Sequence, residues 1–327
     1  MTLIKSISGV RGTIGGAKGD NLSPLDAAEF AAAYGHWLKK KYPGKSLKVV
    51  IGRDARPSGP MIQGIVQNTL VGTGIDVIDL ELSTTPTVEM AVVFEKAQGG
   101  IILTASHNPK QWNALKLLND KGEFISAADG AELLSIIENE DYDFVEVDDL
   151  GSVEAKEGLI EKHVEAILAL PYIDVEAIRN SGLKVAVDAV NSTGGIAIPI
   201  LLEALGIKNP ALLYCEPTGQ FPHNPEPLKE HLGDIMKVVK EQNCDLGIVV
   251  DPDVDRLALI DDQGEMFGEE YTLVVAADFL LQHKQGPLVS NLSSSRALRD
   301  LALSRGQEYY AAAVGEVNVV TKMKGVN

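Results

Sequence analysis

Repeated three-layer α/β/α domains with mixed, mostly parallel sheets around a shared cleft are the architecture this sequence predicts, and three observations predict it. Short apolar runs alternate with helical segments, a grammar that demands parallel strands joined by helical crossovers. The opening of that grammar recurs, as LKVVIGRDARPSG at 47–59, LKVAVDAVNSTGG at 183–195 and PLVSNLSSSRALRD at 287–300. In the first two copies the third strand runs into a turn loaded with reactive side chains: Ser106 and His107 in one, Asp251, Asp253 and Asp255 in the other.

The first repeat reads as follows. Residues 1–20 contain SISGVRGTIGG, a loop in which Gly9, Gly12, Gly15 and Gly16 surround the cation Arg11. Glycines allow the close backbone approach that a phosphate needs. Ser23-Pro24 opens a helix over 25–41 that ends in lysines. An apolar strand at 47–51 empties into GRDARPSG; a helix about 61–71, a strand at 76–80 and a helix about 88–96 follow. The next strand ends in GGIILTASHNP, 99–109, which presents Ser106 and His107 at a strand's carboxyl end. Open α/β sheets keep their ligand sites at that edge; SHNP taken alone is better read as a plain turn. NALKLLNDKGEFI reads as two short antiparallel strands about Asp120-Lys121-Gly122, a helix over 128–138 closes the repeat, and the acidic stretch 141–149 is a solvated linker.

In the second repeat the spacing predicts a helix about 198–205, a strand at 211–215, a helix over 228–242 and a strand at 246–250 that ends in DPDVDR, 251–256. A polar turn at 261–265 leads to the third repeat: a strand at 288, a helix to 305, a strand at 308–312 and a helical segment from 315 onward. The expected domains are 1–150, bearing the serine, 151–262, bearing the aspartates, and an incomplete third at 263–327.

A chain of 327 residues is long enough for two or three cores. The net charge of −17 excludes a general affinity for nucleic acid or anionic membranes. An anionic ligand therefore has to be held by local Arg, Lys or metal. Cys215 and Cys244 lack the spacing of a disulfide framework or zinc site. No apolar run is long enough to span a bilayer, and the N-terminus has no signal-type core. A cytoplasmic protein is expected.

DPDVDR has its own chemistry. On an extended or looped backbone, residues i, i+2 and i+4 project to one side, so three carboxylates converge. They repel one another unless a hard cation such as Mg²⁺ sits among them. An EF-hand requires Gly where Arg256 stands, and helices where there are strands. A phosphatase with Asp251 as nucleophile requires Thr or Val in place of Asp255, and so fits less well. A serine beside a divalent cation, with arginines near, suits a phosphoserine. In a Ser–His–Asp reading, His107 is adjacent to Ser106 on an extended turn, where neighbouring side chains diverge and the imidazole is badly placed as a base. The sequence has no G-x-S-x-G elbow, no G-x-x-x-x-G-K-[ST] loop and no G-x-G-x-x-G loop.

TASHNP at 104–109 and DPDVDR at 251–256, with SGVRG around Arg11, GRDARPSG around Arg53, NALK around Lys116 and GQFPHNPEP at 219–227, resemble the α-D-phosphohexomutase family. These are the phosphoglucomutases, phosphomannomutases and phosphoglucosamine mutases. The resemblance implies that phosphorylated Ser106 passes its phosphoryl group to a hexose monophosphate, that the hexose 1,6-bisphosphate turns over, and that its other phosphate returns to Ser106. It implies Mg²⁺ held by Ser106, Asp251, Asp253 and Asp255. It makes Arg11, Lys116 and His107 catalytic, with Lys116 as proton shuttle, and Arg53, Arg256 and Glu269 substrate-binding. The family's sugar-selecting loop and its fourth, phosphate-gripping domain are not in this sequence. Weak or absent turnover by this chain alone is therefore expected, with two alternatives: a metal-dependent phosphatase using Asp251, or a non-catalytic sugar-phosphate-binding module.

Overall fold

The computed structural model describes residues 1–6 and 9–326, apart from the side chain of Glu269. The first sheet is built from β1 (Ile4–Ser6), β2 (Gly9–Thr13), β3 (Lys48–Arg53), β4 (Asp76–Leu82), β5 (Gly99–Leu103), β6 (Trp112–Leu118) and β7 (Val153–Ala155), in the order β1-β2-β6-β5-β3-β4-β7. The strands β5, β3, β4 and β7 run parallel, as helical crossovers require; β6 is antiparallel to both β5 and β2.

Helices α1 (Pro24–Lys41), α2 (Gly59–Gly72) and α4 (Ala127–Glu138) cover one face, where Phe30, Tyr34, Trp37, Ile62 and Leu133 pack on Val49, Ile51 and Ile101. Helix α3 (Thr85–Phe94) covers the other, with Val88 and Val92 on Val50, Ile78 and Ile102. Ser23 and Asp26 form the reciprocal capping box that starts α1.

The second unit comprises α5 (Leu159–Leu168), α6 (Val175–Asn180), β8 (Val185–Asp188), α7 (Gly194–Ala204), β9 (Ala211–Leu213), α8 (Gly233–Gln242), β10 (Leu246–Val250) and β11 (Leu257–Ile260). Its sheet order, β11-β10-β8-β9, reproduces β6-β5-β3-β4 strand for strand, with the same antiparallel strand beside the third parallel one. The turns after β5 and β10 are therefore equivalent, as the repeat in the sequence implies. A third unit follows: α9 (Glu269–Leu281), β12 (Leu288–Asn291), α10 (Ala297–Ser304), β13 (Tyr309–Ala312) and α11 (Glu316–Val326), with β12 and β13 parallel.

Four expectations change. Residues 9–13 are a strand, not a loop: Gly9 has φ 141°, and a Cβ there would lie 1.8 Å from the Leu115 carbonyl oxygen, so only glycine lets β2 reach β6. The hairpin about Asp120-Lys121-Gly122 loses its second arm, reduced to a bridge from Phe124 to Leu118, because β5 and β2 already occupy both edges of β6. The helix expected over 228–242 breaks at Leu232 (φ −105°, ψ 18°), whose side chain is buried beside α8. Strand β7 lies past residue 150 yet pairs with β4 of the first sheet. No described helix is long and apolar enough to cross a membrane.

Candidate active site

Strand β5 is buried along its whole length and delivers Thr104, Ala105 and Ser106 to the sheet's carboxyl edge. Ser106 has left-handed backbone, φ 48°, uncommon for a residue with a Cβ. The Ser106 N–H donates to Thr104 Oγ1 at 2.9 Å, and the Thr104 hydroxyl donates to the buried Asp54 at 2.7 Å. Across the domain junction the Ser106 hydroxyl donates to Asp251 Oδ2 at 2.8 Å, with Asp255 Oδ1 at 3.5 Å.

His107 Nδ1 lies 3.4 Å from Ser106 Oγ, so the expected divergence of the two side chains does not hold. That expectation assumed an extended turn, and the left-handed Ser106 turns both side chains to one side. Burial, then the charge of Arg256, pushes the His107 imidazole below its ordinary pKa.

The aspartates also converge, though by a turn and not by extended backbone. Val254 takes φ 63° and its N–H donates to the Asp251 carbonyl at 3.1 Å, and one oxygen from each of Asp251, Asp253 and Asp255 lies within 4.8 Å of the others. Asp251 Oδ1 accepts the N–H groups of Asp255 and Arg256, each at 3.1 Å. Burial, then repulsion from Asp253 and Asp255, raises the Asp251 carboxyl well above its usual range. Burial, then Asp253, also raises Asp255. Asp253 Oδ1 is buried and finds no hydrogen-bond partner among the described residues. Three crowded carboxylates, with one buried oxygen left over, are a donor set that fits a hard divalent cation.

Lys116, on β6, donates to Asp253 Oδ2 at 2.8 Å and to Asp255 Oδ2 at 3.1 Å. Burial alone would lower its pKa; the two carboxylates outweigh that and raise it, so the ammonium stays charged. A cavity of about 570 Å³ opens over the group, lined by Arg11, Ser106, His107, Lys116, Asp255 and, from the third unit, Glu316. Burial and Asp255 push the Glu316 carboxyl up. The sequence marked 315 only as the start of a helical segment and gave no sign of Glu316.

The other expected residues fall differently. Arg256 pairs with Glu226 at 3.0 Å and lines an adjoining hollow with Leu257 and Glu270. Arg53 does not reach the cavity: its Nε donates to Gln63 and its Nη1 to the Asp54 carbonyl, turned away beneath α2. The neighbouring Arg56 faces the serine loop, where it bonds the Ser106 and Asn108 carbonyls. The side chain of Glu269 lies outside the described residues.

The family's domain models, described as phosphoglucomutase/phosphomannomutase alpha/beta/alpha domains I, II and III, match residues 4–144, 161–264 and 268–327. The chain belongs to the α-D-phosphohexomutase family. It is 34% identical over 312 residues to a protein of Thermococcus kodakarensis named phosphoglucomutase/phosphomannomutase, covering 94% of this chain and 67% of that one. A protein of Pyrococcus horikoshii named a probable phosphoglucosamine mutase is 33% identical, over 97% of this chain and 66% of its own. The chain thus spans about two thirds of the length of these curated relatives.

A crystal structure of a phosphoglucomutase/phosphomannomutase family protein from Burkholderia thailandensis superposes with a TM-score of 0.82 at 25% identity, over 99% of this chain and 69% of that one. A structure from Thermus thermophilus, at 24% identity, shares the fold with a TM-score of 0.87, over 100% of this chain and 72% of that one. Repeated α/β/α domains with mixed sheets are thus the architecture of this phosphohexomutase family member.

Proposed function

We propose that this chain carries the phosphoryl-transfer centre of a hexose phosphate mutase, which interconverts hexose 1-phosphate and hexose 6-phosphate through phosphorylated Ser106 and a hexose 1,6-bisphosphate. The observation that carries this reading is the Ser106 hydroxyl 2.8 Å from Asp251, on a strand-end turn equivalent to the one bearing the aspartates. A cavity of about 570 Å³ above them suits one sugar phosphate. The names of the relatives support the substrate class.

In the forward half-reaction the bond from Ser106 Oγ to phosphorus breaks as a sugar hydroxyl oxygen bonds the same phosphorus. The net proton transfer is from the hydroxyl to Ser106 Oγ. Lys116 is the shuttle: its ammonium gives a proton to Ser106 Oγ as the bond to phosphorus breaks and takes the hydroxyl's proton in return, with Asp255 reaching both Lys116 Nζ at 3.1 Å and Ser106 Oγ at 3.5 Å. Arg11, exposed on β2 at the cavity wall, faces the anionic substrate, with His107 beside the serine and the charge of Arg256 felt at His107. Asp251, Asp253 and Asp255, with an oxygen of the phosphorylated Ser106, would hold Mg²⁺, which offsets charge on the transferring group. The return half-reaction, after the bisphosphate turns over, rephosphorylates Ser106 from the other position.

The phosphatase alternative fares worse. A nucleophilic aspartate at 251 goes with Thr or Val at 255, whereas here Asp255 joins the carboxylate cluster. The thiols of Cys215 and Cys244 are unpaired, which supports the cytoplasm as the working compartment.

Incubation with glucose 1,6-bisphosphate and Mg²⁺ tests the reading. A hydroxylamine-stable phosphate on Ser106, lost in Ser106→Ala, is expected; a hydroxylamine-labile phosphate on Asp251 overturns it in favour of the phosphatase. Sugar phosphate binding by calorimetry with no phosphate on either residue favours the non-catalytic module.

A further inference from the structure

Arg56 is fully buried, and all five of its N–H donors are engaged. Nε donates to Asp54 Oδ2 at 2.8 Å, Nη1 to the carbonyls of Pro109 at 2.7 Å and Trp112 at 3.1 Å, and Nη2 to the carbonyls of Asn108 at 2.8 Å and Ser106. Three of the five acceptors are backbone oxygens of the loop that carries Ser106, and a fourth is the carbonyl of Trp112, where that loop enters β6. Its guanidinium also lies 5.2 Å from the centre of the Phe221 ring. A lysine has three donors on a mobile point charge and cannot match this planar fork.

Asp54 closes the arrangement from the other side. It accepts the Arg56 N–H at 3.0 Å and the Thr104 hydroxyl at 2.7 Å, and Thr104 Oγ1 accepts the Ser106 N–H. The carbonyl of Ser106 is thus tied to Arg56 directly, and its N–H to Asp54 through Thr104. A left-handed residue other than glycine is strained and persists only where its surroundings over-determine it. Here Asp54 and Arg56 do so.

The residue between them reaches the second unit. The Ala55 N–H donates to Ser192 Oγ at 3.2 Å, and the Ser192 hydroxyl donates to the Pro252 carbonyl at 2.7 Å, inside the aspartate loop. Gly219 presses on the Ala55 carbonyl so closely that a Cβ would stand 1.9 Å from its oxygen. One turn, residues 54–56, therefore grips the serine loop with one edge and the aspartate loop with the other.

We propose that Arg56 is a positioning residue for phosphoryl transfer: with Asp54 it holds Ser106 Oγ at its 2.8 Å distance from Asp251. This rests on Ser106 being the phosphoryl carrier. Misplacement of a reacting atom by about 1 Å costs on the order of 100-fold in rate.

The test measures two quantities in the full chain: the rate at which glucose 1,6-bisphosphate phosphorylates Ser106, by intact mass, and Mg²⁺ affinity, by calorimetry. In Arg56→Lys the phosphorylation rate is expected to fall about 100-fold while Mg²⁺ affinity stays within about threefold of the parent, since no carboxylate of the triad is touched. Asp54→Asn, which keeps the arginine and the shape, is expected to lose about 10-fold in the same rate. Parent-like phosphorylation in a folded Arg56→Lys overturns the proposal. Parallel loss of both quantities, or collapse of the fold, in both variants assigns the arginine a purely structural role and overturns it too. Absence of phosphate on Ser106 in the unsubstituted chain overturns the mutase reading itself, separately from the role of Arg56.

Discussion

Thr85 and Asp253 are joined twice across the junction of the first two units: the Thr85 hydroxyl donates to Asp253 Oδ2 at 2.6 Å, and the Thr85 N–H donates to the Asp253 carbonyl at 2.8 Å. Thr85 is the first residue of α3, so its N–H is one the helix cannot use, and the positive end of the helix faces the carboxylate. Burial on its own would raise the Asp253 pKa. Lys116 and Thr85 outweigh it and bring the pKa down to about 2, so this aspartate stays ionised inside the protein.

Thr85→Val keeps the shape and removes the hydroxyl. A hydrogen bond to a charged group contributes about 1.5–3 kcal/mol, so urea unfolding of Thr85→Val is expected to show a loss in that range, and Thr85→Ser to recover most of it. Parent-like stability in the valine variant rules out the latch.

The aspartate cluster predicts a cation-dependent stability. A ligand at 100 times its dissociation constant stabilises the folded state by about 2.7 kcal/mol, and the parent chain is expected to gain of that order when Mg²⁺ replaces EDTA. Asp251→Asn removes one of three converging charges and is expected to lose most of the gain. Melting curves with and without Mg²⁺ that shift equally in both proteins count against the site.

Much of this was readable beforehand, for a physical reason. Buried parallel strands are continuous apolar runs, so LKVVI, GGIIL and LGIVV announce themselves, and the same run repeated places SHNP and DPDVDR at equivalent sheet edges. What escaped detection has equally plain causes. Strand β7 is an exposed edge of three residues, too short to show a period, and β2 reads as a glycine loop because the glycine it needs is dictated by the close approach of β6.

GRDARPSG contains two arginines, and the acceptors that distinguish them are carbonyls some fifty positions away in sequence, which no local pattern encodes. Arg53 carried the resemblance; Arg56 reached the loop. His107 was judged by an extended backbone that Ser106 does not adopt.

His223 Nε2 donates to the buried Asp188 at 3.0 Å, and its ring meets the edge of Tyr214. Burial would lower the imidazole pKa, but Asp188 outweighs it and the pKa rises above 6.5. A folded-state pKa raised in this way gives stability that is fully present below pH 6.5 and is lost as pH climbs through the raised value. His223→Gln is therefore expected to cost about 1 kcal/mol at acidic pH, after allowance for partial exposure, and less above neutrality. Denaturant midpoints at pH 5.5 and 8.5 check this; a loss that is the same at both denies the ion pair.

Glu89 supplies the opposite experiment. It sits half-buried on α3, where Glu316 of the third unit, Asp255 and Asp253 face it and Lys116 is the one cation among its named neighbours. Burial first, then Glu316, raises its pKa from 4.5 to about 8. The protonated form is favoured by folding, so the stability tied to it is complete below pH 4.5 and disappears as pH rises through about 8. Glu89→Gln mimics the protonated acid at every pH. It is expected to match the parent at pH 4 and to exceed it by roughly 3 kcal/mol at pH 9, discounted from the full shift for partial exposure. Glu316→Gln is expected to shrink that difference, because it removes the second-largest cause of the shift. Urea titrations of the three proteins at pH 4 and 9 decide the matter: an advantage for Glu89→Gln that does not change with pH means that the Glu89 carboxyl titrates alike in the folded and unfolded chains.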